Sequence, residues 1–231
     1  FQLADIATLK ANEGTSNMET RLIDTGSGTG SMFFFSRDYR EDKYRELFRN
    51  PTFLKAVSHA WDRSEPHRVL YFETGEPTTG TMSPKAIEYQ FNDEAKERYA
   101  EWRDSAKEYD PDKAMEMLDE VGLTDTTGDG WRNFPDGSEF VISFDNPGDV
   151  GTQHGTKNEL LAKNWNAVGL QTMMNPIPSG ADELWNAGEL MSKSQWEVGD
   201  GPNHLVYPSW VTPNEQSRWA PLQGAWYMLG G

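Results

Sequence analysis

The chain has no cysteine in its 231 residues. Disulfides, thiolate nucleophiles and cysteine-held zinc are therefore excluded together. Compartment stays open, because cytosolic and exported bacterial proteins both manage without cysteine. No run of about 18 apolar residues exists, so no helix is long and apolar enough to cross a bilayer, and no secretory signal pattern is present. Basic residues are few: 21 Lys and Arg stand against 37 Asp and Glu, for a formal net charge of -16. Nucleic acids and anionic membrane surfaces both demand clustered cations. Neither is expected as a partner, and direct membrane insertion is not expected either.

Chemistry-bearing motifs are also sparse. His59, His67, His154 and His204 are scattered, and none has a second His four residues away, so no zinc site is expected. No serine sits in a nucleophile-elbow motif. Gly26 to Gly30 is glycine-rich but lacks the Lys-Ser or Lys-Thr of a phosphate loop, and a strand follows it rather than a helix. Asp125 to Gly130 superficially suggests a calcium loop. Its twelfth position is Asp136 rather than Glu, so a tight turn is the better reading. No catalytic residue, metal or cofactor is expected.

Aromatics are plentiful, with nine Trp and eleven Phe. The chain begins at Phe1 and stops in the apolar stretch Trp226 to Gly231, which suggests a piece of a longer protein. Leu3, Ile6 and Leu9 fall on one face of a short helix. Thr20 to Asp24 alternates like a strand, and Met32 to Phe35 is an apolar run suited to a buried strand. Asp42 to Phe48 and 51–63 read as helices, the second with Phe53, Leu54, Val57, Ala60 and Trp61 in one stripe. A helix is expected over His67 to Phe72, then a loop from Gly75 to Pro84 and a charged helix over Asp93–Tyr99. Asp110 and Pro111 form an N-cap and first-turn pair, and Gly122 a C-terminal stop. Strands are expected over Glu139–Phe144, Leu170–Met174 and Ser194–Val198, and helices over Glu159–Val168 and Ala181–Gly188. This alternation is α/β, and without a linker it is read as a single domain, 1–231.

Several segments in order carry a resemblance. They are Gly28 to Arg37, Phe48 to Arg63, Gly75 to Pro84, the helix from Tyr109 to Leu123 with the turn Gly128 to Arg132, and Gly169 to Thr172. Together they resemble the second lobe of the extracellular solute-binding proteins of the peptide/nickel/oligosaccharide class, family 5. The likeness runs over roughly residues 20 to 215. It implies one lobe of a type II periplasmic-binding-protein-like fold, a mixed sheet flanked by helices, with the first lobe absent from this chain. It further implies capture of an oligopeptide or oligosaccharide outside the cytoplasm, in the periplasm or on a cell-surface lipoprotein. Delivery would be to the membrane permease of an ABC importer.

In that resemblance the stretch Trp196 to Asn203 stands where peptide-binding relatives carry an acid that pairs with a peptide's N-terminus. Asp200 retains the acid, while Gly201 replaces the expected aromatic. The ligand-contact candidates are Asp200 and Asn203, which offer hydrogen-bonding groups. Trp196, Trp210 and Trp226 join them as flat stacking faces for sugars. The alternative from another class is a carbohydrate-active hydrolase using a carboxylate pair in a Trp-lined cleft, with the two acids about 5–10 Å apart.

Overall fold

Asp110 shows how closely local chemistry sets the elements. Its carboxylate accepts the Lys113 N–H at 3.0 Å, Pro111 occupies the first helical turn, and a helix runs from Pro111 to Glu120. Gly122 follows at φ +84°, a left-handed conformation that favours glycine, and a side chain there would meet the Pro135 ring.

The computed structural model describes residues 3–23, 26, 30–79, 83–197, 212–216 and 218–231, with backbone only for Trp196 and Glu197. A 3-10 turn, Leu3–Asp5, leads into α1 (Ile6–Ala11) and α2 (Glu13–Ser16). Then come β1 (Gly30–Phe35), α3 (Asp42–Arg49), α4 (Pro51–His59), α5 (Ser64–Val69), α6 (Ile87–Gln90), α7 (Asp93–Asp104) and α8 (Pro111–Glu120). The second half holds β2 (Val141–Asp145), α9 (Gln153–Ala167), β3 (Gln171–Asn175), α10 (Ala181–Asn186), β4 (Ser192–Glu197) and α11 (Pro221–Met228). The expected α/β alternation is present. Among the described residues the strands form two ladders: β1 with β4, antiparallel, and β2 with β3, parallel through α9.

Asp145 ties the ladders together. It is buried, and its carboxylate accepts the Met191 N–H at 2.6 Å, the Ser192 N–H at 3.3 Å, the Ser143 hydroxyl at 2.6 Å and the Asn175 amide at 2.7 Å. One side chain thus bridges the ends of β2 and β3 to the start of β4.

The core lies between these strands and helices α3, α4, α8 and α9. It is largely aromatic: Phe35 stacks on Phe48 at 4.5 Å and on Trp165 at 5.7 Å between centroids, and Tyr44 stacks on Phe140 at 5.5 Å. Such ring pairs add about 0.5–1.5 kcal/mol each beyond their burial.

Several expectations change. The helix expected over 51–63 stops at His59, so Ala60 and Trp61 lie beyond its end, and the helix expected over His67 to Phe72 runs from Ser64 to Val69. Residues 20–23 are irregular rather than a strand: among the described residues no strand pairs with them, and the Thr20 N–H and carbonyl bond instead to the side chains of Glu13 and Lys10, at 2.7 and 2.6 Å. Helix α9 begins at Gln153 rather than 159, capped by the Thr152 hydroxyl accepting the Gly155 N–H at 3.2 Å. The C-terminal α11 is an addition, and its start is held from outside: Asp38 accepts the Gln223 N–H at 3.0 Å.

The segment that carries most of the resemblance is structural. Asp125 accepts the N–H groups of Gly128 and Gly130 at 2.6 and 2.9 Å, which holds the carboxylate below its usual range. This is the tight turn expected there. Arg132 then bonds the Val168 and Leu123 carbonyls at 2.8 and 2.5 Å and pairs with Asp119, joining the turn to α8 and the end of α9.

Candidate ligand-binding site

A cavity of about 840 Å3 opens beside the aromatic core. Helix periodicity builds two of its walls. Lys157, Leu161 and Trp165 stand four residues apart on α9 and so share one face, as do Leu54, Val57 and Ser58 on α4. Strand β1 contributes Met32, Phe33 and Phe35. The far side is the connection from Trp61 through Tyr71 to Thr79, with Tyr99 and Arg103 from α7. Trp165 anchors the wall: its indole N–H donates to the Val57 carbonyl at 2.9 Å, and Phe33 meets it edge-on at 5.3 Å.

Arg63 holds the far side in place. Its guanidinium donates to the carbonyls of Thr78, Ser58, Trp61 and Lys107 at 3.0 to 3.3 Å and to the Ser58 hydroxyl at 2.6 Å. Burial pulls its pKa down to about 10, so it stays charged at neutral pH. The planar fork is matched to several carbonyls at once, which a lysine cannot reproduce. Arg63→Ala is expected to lower stability by about 3 kcal/mol, since each such bond is worth ~1.5–3 kcal/mol and part of the loss is met by water. Arg63→Lys should recover little of it. Urea denaturation, with proteolysis of the 71–79 connection as a second readout, checks both; an alanine variant as stable as the parent would contradict this role.

Lys157 is among the residues lining the cavity and has 4% of its surface exposed. Its ammonium donates to the Met32 carbonyl at 3.3 Å and stands 5.7 Å from the Phe33 ring centre. Among the described residues no carboxylate pairs with it. Burial pushes its pKa down to about 7. One turn earlier, His154 shares a contact with the Ser31 hydroxyl at 3.1 Å. Burial, and then the Lys157 charge, lower its pKa to about 4, leaving it neutral at pH 7. At the edge, Arg37 lies 4.6 Å from the centre of the Trp219 ring, and burial followed by the charge of Arg49 lowers its pKa. The walls are therefore aromatic, and their charged groups are mostly cationic in a strongly acidic chain.

Sequence reasoning placed the candidates elsewhere. Asp200, Asn203 and Trp210 lie outside the described residues. Trp196 belongs to β4 by its backbone, on the strand that pairs with the cavity strand β1. Trp226 is 60% exposed on α11, and it is not among the residues lining the cavity. The carboxylate pair that a glycoside hydrolase needs is not assembled among the described lining residues, where Glu76 is the single acid. No cluster of three or more potential metal ligands occurs among the described residues.

The chain matches the model of the bacterial extracellular solute-binding proteins, family 5, middle region, over residues 1–218. No match is found among curated proteins. Among solved structures, an oligopeptide-binding protein OppA superposes with a TM-score of 0.70 at 21% identity, over 89% of this chain and 30% of its own. The periplasmic binding protein MelB from Agrobacterium fabrum, in complex with stachyose, gives 0.64 at 21% identity, over 86% and 30%. The oligopeptide-binding protein AppA from Bacillus subtilis, in complex with a nonapeptide, gives 0.62 at 16% identity, over 94% and 42%. At these identities the likeness is one of fold. The chain spans well under half the length of each of these structures.

Proposed function

Because this chain belongs to the family 5 extracellular solute-binding proteins, we propose that it is the second lobe of a two-lobe receptor. That receptor captures an oligopeptide or oligosaccharide outside the cytoplasm and hands it to the permease of an ABC importer. The observation that carries the reading is the cavity of about 840 Å3 on this fold, aromatic on its walls and polar at a few points. Ligand pockets are commonly ~300–1,000 Å3, largely apolar, with a small number of placed polar groups.

The mechanism needs no covalent step. A first lobe closes over the cavity, and the ligand favours the closed arrangement by binding it better than the open one. Aromatic rings such as Phe33 and Trp61 offer flat faces to peptide side chains or sugar rings. Glu197, the end of β4, pairs with Gly30 at the cavity wall, and Asp200 follows three residues later in the sequence. Extended chain advances at most about 3.6 Å per residue, and that short tether supports Trp196, Asp200 and Asn203 as ligand contacts. Trp210 belongs to the same proposal, and Trp226 to the face that meets the first lobe. The family setting favours a periplasmic protein or a surface lipoprotein.

The test is a thermal-shift screen of the full-length protein against pools of oligopeptides and of oligosaccharides. A ligand that binds only the folded state at 100-fold its Kd adds ~2.7 kcal/mol of stability. A shift of several degrees with one pool is expected. Silence with both pools would overturn the receptor reading.

A further inference from the structure

The structure assigns to the captured ligand a carboxylate, which docks on the ammonium of Lys157 in the cavity wall. This rests on the receptor reading and narrows its ligand class.

Lysine is almost never fully buried without a partner, and Lys157 is 4% exposed. An ammonium has three donors. Within the described residues, the Met32 carbonyl at 3.3 Å takes one of them. The ring of Phe33 offers its negative face at 5.7 Å but no full charge. His154, next to Lys157 on α9, is neutral at pH 7 and bonded to Ser31. The other charged or titratable groups on the cavity wall are Arg37, Arg63, His67, Arg103, Glu76 and the phenols of Tyr71 and Tyr99. Arg63 is taken up by carbonyls and Arg103 by Asp104. Glu76 is exposed, and no ion pair joins it to Lys157 among the described residues.

An isolated buried ammonium carries a desolvation cost of several kcal/mol, and an apolar side chain of the same length would avoid it. In a chain with 37 acids and 21 bases, an internal counter-ion would be easy to supply. A cation on a cavity wall with no counter-ion among the described residues is matched when an anion enters. A carboxylate is planar, can accept from two donors, and is flanked here by Phe33 and Trp165 for an apolar remainder. Two ligand sources share this chemistry: a peptide terminus or acidic side chain, and a uronic-acid sugar.

Entry of the anion raises the lysine pKa again, so binding takes up a proton. The preference for acidic ligands is therefore full below pH 7. It fades as pH rises through the higher pKa of the complex.

The test measures ligand-induced melting shifts of the full-length protein with four pools. These are free-acid oligopeptides, the same peptides as C-terminal amides lacking acidic side chains, oligouronides, and neutral oligosaccharides. One acidic pool is expected to raise the melting temperature several degrees at pH 6.5, with its neutral counterpart giving less than a third of that shift. Which acidic pool does so separates the two sources. At pH 9 the difference should shrink at least twofold. Lys157→Met should abolish it, and Lys157→Arg, the control for folding, should retain it at both pH values. Equal shifts from acidic and neutral members overturn the carboxylate assignment and leave the receptor standing, as does a preference that survives Lys157→Met. No shift from any pool overturns both.

Discussion

Replacing Asp145 with alanine is expected to remove about 4 kcal/mol of stability, the largest loss we anticipate for any single polar side chain described here. The carboxylate accepts four hydrogen bonds, and the two from the backbone N–H groups of Met191 and Ser192 are buried. Bonds to a charged acceptor are worth ~1.5–3 kcal/mol, and an orphaned buried N–H costs its full desolvation. For a chain of this length, the loss lowers the melting temperature by roughly 10 °C. Asp145→Asn keeps the shape and one acceptor oxygen, so it should lose about half as much. Urea denaturation with unchanged m-values is the check. An alanine variant within about 1 kcal/mol of the parent would show that β2, β3 and β4 are held by packing instead.

Lys157→Met is expected to act in the opposite direction. The folded-state pKa near 7 lies well below the 10.5 of a free lysine. Between those values the unfolded chain binds a proton that the folded chain does not, so this residue's contribution to stability rises with pH across that window. Below pH 7 the whole penalty applies. A shift of this size corresponds to roughly 3–5 kcal/mol. The methionine variant should therefore be more stable than the parent by about that amount at pH 6. The gap should narrow steadily toward pH 10. Parallel stability curves for the two proteins, with the variant weaker throughout, would mean that the bond to Met32 and the Phe33 ring outweigh desolvation.

What could be read in advance depended on how local its cause is. The α8 boundaries were visible because Asp110, Pro111 and Gly122 act on their immediate neighbours. The Asp125 turn was visible for the same reason. Helix α11 was not, because part of its N-terminal cap comes from Asp38, on the far side of the chain. The cavity escaped because no single segment contains it. Its walls come from β1, α4, α7, α9 and the 61–79 connection, and only packing brings those together. One signal was available: Lys157 stands four and eight residues before Leu161 and Trp165, a lone cation on an apolar helical face. The resemblance drew attention to residues 196–226 instead, since it concerns chain order and not depth of burial.

The β1–β4 ladder has a consequence for how the molecule is made. Its two strands are separated by about 160 residues, so the closure entropy of about two thirds of the chain must be met before they pair. Until β4 docks, Phe33, Phe34 and Phe35 have no strand to cover their edge, and an uncovered apolar edge recruits other chains. Helices α3, α4 and α8 can assemble earlier from nearer neighbours. The β1 side of the cavity is thus completed late in folding, and the open edge of that one strand is where folding competes with association between chains.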